Sequence, residues 1–100
     1  MTTAIVQHTV ADYDTWKAAY DQHETARRAH GATSASVHRV AGSDTVDIVV
    51  LIEFPDAGSA QAFLSDASLK EAMMIAGVQG PPQISIVEEA EVVEYAGASA

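Results

Sequence analysis

Two hydrophobic periods share this chain. From Thr3 to Val10 the sides alternate residue by residue, with Ala4, Val6, His8 and Val10 on one and Ile5, Gln7 and Thr9 on the other. That is the pattern of a strand. From Asp12 to Gly31 the period lengthens. Tyr13, Trp16, Tyr20, His23, Arg27 and His30 recur in steps of three and four and predict one stripe along one amphipathic helix. Asp12 is placed to cap its first turn, Gly31 to close its last, and Arg27 and Arg28 to face the terminal carbonyls. Thr33 to Val40 predicts a second strand. Its polar Ser34, Ser36 and His38 oppose Val37 and Arg39, a mixture that suits a sheet edge. A hairpin turn at Gly42 to Thr45 leads into a third strand, Val46 to Phe54. Ile48 to Ile52 is apolar at every position, which predicts burial of both faces.

Pro55 and Asp56 end that strand and open a short helix, Ala57 to Leu64, presenting Ala60, Phe63 and Leu64. Ser65 or Asp66 caps another helix, with the stripe Leu69, Ala72, Met73 and Ala76 and a stop at Gly77. Gln79-Gly80-Pro81-Pro82 reads as a stiff loop, because both prolines fix φ and lack a donor. Gln83 to Val87 is a fourth strand. The acidic tail Glu88 to Tyr95 still alternates and is expected to add a fifth pairing, and Ala96 to Ala100 to fray. The order is βαββαβ across a single domain, residues 1–100. It predicts an α+β, ferredoxin-like fold: a four-stranded antiparallel sheet with helices on one face. One helical layer leaves the other side of the third strand bare. A second copy packed sheet to sheet is the expected cover, so the chain is expected to be a homodimer.

Composition narrows the partners. The net charge of −9 repels nucleic-acid phosphates and anionic lipid, so neither is expected as a partner. No cysteine is present, which excludes disulfides, thiol catalysis and thiolate metal sites. The first residues lack the basic start and apolar core of a signal peptide, and no run approaches the ~20 apolar residues of a membrane span. The expected location is cytoplasmic.

The helix stripe is where chemistry enters. A purely structural stripe is usually Leu, Ile and Val; this one is aromatic at its start and basic at its end. Strand and helix run antiparallel with almost no loop, so His8 is expected to face Tyr13 and Trp16 if its side of the strand is the helix side. His23 falls roughly 10 Å further along the layer, too far for the two histidines to share a metal ion. They suit two ends of a cleft in which Trp16, Tyr20 and Phe63 form flat walls, the same side chains serving as core. Neutral imidazole at His8 or His23 suits removal of a proton from an acidic carbon or phenol, and Arg27 suits a carboxylate or a developing enolate oxygen. No metal site is expected: Glu88, Glu89, Glu91 and Glu94 offer no convergent set.

The segment His8 to Tyr13, with Trp16-Lys17, Tyr20-Asp21 and His23, resembles the opening of a family of small bacterial cyclase-like and antibiotic-biosynthesis-monooxygenase-like proteins. Phe63-Leu64, Leu69 to Met73 and Ala76 to Pro82 fit the same pattern. The short turn before Val46-Asp47 and the acidic tail depart from it. The resemblance implies a dimeric α/β barrel, two sheets back to back with helices outside. It also implies a small-molecule enzyme of the cofactor-free oxygenase or cyclase type, acting on an aromatic or polyketide-like substrate with histidine as base and no cofactor. A pocket of several hundred Å3 in each subunit, lined by Trp16 and Tyr20, is then expected. The alternative is a dimeric module that binds a ligand without chemistry or serves only as structure.

Overall fold

A computed structural model describes residues 2–97. The strand β1 (Thr2–Val10) lies at the centre of the sheet because it is the most completely paired. It runs antiparallel to β3 (Val46–Phe54) on one side and to β4 (Val78–Glu88) on the other. The strand β2 (Ser34–Arg39) pairs with β3, giving the sheet order β2-β3-β1-β4 with β2 and β4 as edges. Among the described residues four helices complete the order: α1 (Tyr13–Gln22), α2 (Glu24–Ala29), α3 (Ala57–Leu64) and α4 (Ala67–Ile75). This is the antiparallel ferredoxin-like sheet with helices that the hydrophobic periods predict.

The alternation in β1 and β3 sorts the sheet into two faces. Ala4, Val6 and Val10 with Ile48, Val50, Ile52 and Phe54 are buried together with Trp16 of α1 and Ala60 and Phe63 of α3. Burial of a side chain such as Phe63 or Ile48 contributes about 1.5–3 kcal/mol, so this layer dominates the fold's stability. On the opposite face Ile5, Val49 and Leu51 are half-buried, with polar Thr3, Gln7, Thr9 and Ser36 around them. Three aspartates cap helices: Asp12 accepts from the Thr15 amide at 2.8 Å, Asp56 from Ser59 at 2.7 Å and Asp66 from Ser68 at 2.8 Å.

Three expectations need correction. The long helix is two helices, interrupted at His23. The His23 amide is shared between the Ala19 and Tyr20 carbonyls, and the Tyr20 carbonyl also accepts from the Arg27 guanidinium at 2.8 Å. The side chain thus takes up a carbonyl at the end of α1. The stretch Gln79 to Pro82 is not a loop but part of β4. β4 is an edge strand, which tolerates prolines that cannot donate to a ladder. The register there slips: Gln7 faces Gln83 but Thr9 faces Gln79, so four steps in β4 match two in β1. Gly80, at φ +73, takes the left-handed conformation that such a bulge favours. The tail forms no strand among the described residues; Val92, Val93 and Tyr95 are exposed. The expectation of fraying at Ala96 to Ala100 extends to 98–100, which lie outside the described residues.

Candidate functional site

The bulge in β4 lies against one residue of β1. His8 pairs with Ile48 on β3 but has no register partner on β4. Its side chain points to the helix side, where its ring centroid lies 5.5 Å from that of Trp16. His8 is only 7% exposed, and both ring nitrogens are buried with no hydrogen-bond partner among the described residues. Burial disfavours the imidazolium, so the pKa is held below the ordinary histidine value of 6.5. A buried polar group almost always has a partner, and one without calls for an explanation. Here it lines a cavity.

That cavity lies between the sheet and the helices. Its walls include His8, Trp16, Tyr20, His23, Arg27 and Phe63. Six of the seven side chains singled out in the sequence therefore converge on one space. Tyr13 does not reach it; it packs behind Trp16 at 6.0 Å, with the Arg39 guanidinium 5.0 Å from its ring. Leu69, Ala72 and Met73 of α4 close the cavity from the other side. The sequence shows these three as a helix stripe, with nothing to mark them as cavity wall.

The cavity holds about 50 Å3, well short of several hundred. A water molecule needs ~10–15 Å3 of such space, so there is room for a few water molecules. Side chains account for the shortfall. Trp16 stacks on Tyr20 at 5.0 Å and 21°, and the guanidinium carbon of Arg27 lies 3.7 Å from the Tyr20 ring. This column of three fills much of the space that a planar guest would need.

The second histidine is differently placed. His23 is half-buried, its Nε2 lies 3.0 Å from the Ser68 hydroxyl, and its ring lies 5.8 Å from Phe63. Burial, then the charge of Arg27, holds its pKa below 6.5. His30 is also half-buried. Its Nε2 meets the Asp66 carboxylate at 2.7 Å and its ring packs on Phe63 at 5.9 Å. That bond is the main reason the Asp66 carboxyl sits at about 2 rather than 3.8. His23 and His30 thus bond to the first turn of α4 and its cap. His38 is exposed on β2, 2.9 Å from Ser36. Among the described residues no group of three or more His, Asp or Glu side chains converges as a metal would require.

No protein-family model matches the chain, and no curated protein matches its sequence. Solved structures do resemble it. SnoaB, a cofactor-independent oxygenase from Streptomyces nogalater, superposes with a TM-score of 0.75 over 94% of this chain and 97% of its own, at 10% identity. The monooxygenase from the ActVA-Orf6 gene of Streptomyces coelicolor, solved with nanaomycin D, gives 0.66 over 95% and 92% at 16% identity. A dimeric ferredoxin-like protein from an uncultured marine organism gives 0.64 over 92% and 97% at 16% identity. Two of these three neighbours are described as an oxygenase and a monooxygenase, and at these identities the likeness establishes the shared ferredoxin-like fold.

Proposed function

We propose that this protein is a small-molecule enzyme of the cofactor-independent monooxygenase or cyclase type, with His8 as general base. The observation that carries the reading is the pair of unpartnered nitrogens on His8, buried at the wall of a mostly apolar cavity. A neutral imidazole there is ready to accept a proton from an acidic carbon or phenol. In an oxygenase the resulting electron-rich anion meets dioxygen in the same dry space; one oxygen atom enters the product as a carbonyl, and the other leaves as water with the two hydrogens that the substrate gives up. A cyclase uses the same base and directs the carbanion at a carbonyl of its own chain. Of the two histidines in the cavity, His8 is favoured because His23 already bonds to Ser68. Trp16, Tyr20 and Phe63 form the walls.

The general type is supported by the folds of SnoaB and the ActVA-Orf6 monooxygenase. The cavity's small size supports a second reading, a non-catalytic module in which the column of rings is simply core. Oxygen uptake with anthrone as an electron-rich probe separates the two. The oxygenase form of the enzyme reading expects uptake above the buffer rate, a fall of 100-fold or more in His8→Gln, and a change of only a few-fold in His23→Gln. Uptake at the buffer rate rejects the oxygenase form, and uptake indifferent to His8→Gln rejects His8 as its base.

The same proposal includes a homodimer. Ile5, Val49 and Leu51 form an apolar centre with a polar surround on the face opposite the helices, the layout of a subunit contact. One structural neighbour is described as dimeric. Native mass spectrometry is expected to show two copies, and Leu51→Glu to shift the population to one.

A further inference from the structure

The cavity does not end at Tyr20. Tyr20 and Arg27 also line an outer groove of about 400 Å3, bounded by α1, α2 and the start of β2 at Thr33 and Ser34. Arg27 is therefore the wall between a small apolar chamber and a much larger polar one.

Its electrostatic position is unusual. Arg27 is 6% exposed, yet no carboxylate lies within 4.0 Å of it among the described residues. The groove contains two acids, and each has another partner. Asp21 pairs with Lys17 at 2.6 Å, and Glu24 lies 3.9 Å from Arg28. They act on Arg27 only at longer range. A guanidinium has five N–H donors, and the one side-chain bond Arg27 makes among the described residues goes to the Tyr20 carbonyl. A buried cation without a counter-ion is costly unless something else supplies the negative charge. The planar fork of Arg matches a carboxylate with two parallel bonds.

We propose that Arg27 is an anion subsite, and that the substrate carries a carboxylate beside its aromatic rings. The carboxylate arrives through the groove and pairs with Arg27, and the apolar body extends from there toward Trp16 and His8. The inference rests on the ligand-binding reading above and names the class of ligand. It does not require that His8 perform chemistry.

Binding, rather than turnover, tests it. The probes are 2-naphthoate and its neutral counterpart 2-naphthamide, titrated by calorimetry, with Trp16, the chain's single tryptophan, as a second signal by fluorescence. The intact protein is expected to bind the naphthoate at least 10-fold more tightly than the amide. Arg27→Met is expected to abolish that preference. Lys70→Met, at an exposed residue outside both the cavity and the groove, is expected to keep it. Arg27→Lys keeps the charge without the fork and is expected to show a reduced preference, so it stands in if Arg27→Met does not fold. Equal affinities in the intact protein overturn the proposal, as does binding of neither probe, a preference that survives Arg27→Met or an undiminished one in Arg27→Lys. His8→Gln separates this inference from the catalytic one. A preference retained in His8→Gln with no oxygen uptake in any form rejects the oxygenase and leaves the subsite standing.

Discussion

The two walls of the cavity are built differently. On one side, α1 and α2 are anchored from within: Trp16 is 3% exposed and Arg27 6%, and the Arg27 side chain braces the junction through the Tyr20 carbonyl. On the other, α4 has no buried residue at all. It presents Leu69 and Met73 half-buried to the cavity, while Met74 and Ile75 are 75% and 67% exposed. Polar contacts hold its first turn, Asp66 to His30 and Ser68 to His23. The contrast separates recognition from access. The groups suited to grip a ligand sit on the firm wall. A cavity of about 50 Å3 can enlarge with least loss of buried surface where the wall is α4.

The largest expected effect tests that contrast. Trp16→Ala removes a large buried ring and is expected to cost about 3–5 kcal/mol. Met73→Ala is expected to cost about 1 kcal/mol, well below the ~2–5 kcal/mol of a fully buried methionine, because the site is only half-buried. Urea denaturation of both variants gives the comparison. Equal losses would mean that α4 is as firmly seated as α1, and the distinction between the walls would fail.

Where sequence and structure part company, the cause is consistent. The periods found β1, β3 and α3 and the cap aspartates found the helix starts, because each is a local rule read within a few residues. The interruption at His23 depends on Arg27 reaching back seven residues to the Tyr20 carbonyl, which spacing alone does not reveal. Glycine and two prolines at 80–82 signal a break. Whether that break is a loop or a bulge depends on the strand beside it, and here the partner is β1 at His8. The alternation in Val92 to Tyr95 gives the faces of a strand but cannot supply a neighbour. Convergence of His8, Trp16, Tyr20 and Arg27 on one space was legible from helix and strand geometry. The size of that space was not, because it depends on how the rings stack once they meet.

The buried histidines should also show themselves in the pH dependence of stability. His8 and His23 both titrate below 6.5 in the folded chain, chiefly through burial. The unfolded chain then takes up protons first as pH falls, so stability is present above about 6.5 and declines below it. Thermal melts between pH 7.5 and 5 are expected to fall toward acid. His8→Leu, which fills the site without a titrating group, is expected to flatten part of that fall. A His8→Leu profile parallel to that of the intact protein would show that His8 does not carry the decline.

The smallest expected effect belongs to the soft wall. Asp66 caps α4 through the Ser68 amide and bonds to His30, and its carboxyl titrates at about 2 rather than 3.8. A depressed carboxyl stabilises the fold above its unfolded value and loses that contribution as pH falls through its folded value. The advantage of the intact protein over Asp66→Asn is therefore expected to fade as pH falls between about 4 and 2. At neutral pH, hydrogen exchange is expected to quicken in the α4 amides of Asp66→Asn and to stay unchanged in β1. The helix can loosen while the buried layer of Ile48, Phe54 and Phe63 holds. Faster exchange spread equally over β1 and α4 would mean that α4 opens only with the whole molecule. Access to the cavity would then have to come through the groove beside Arg27 instead.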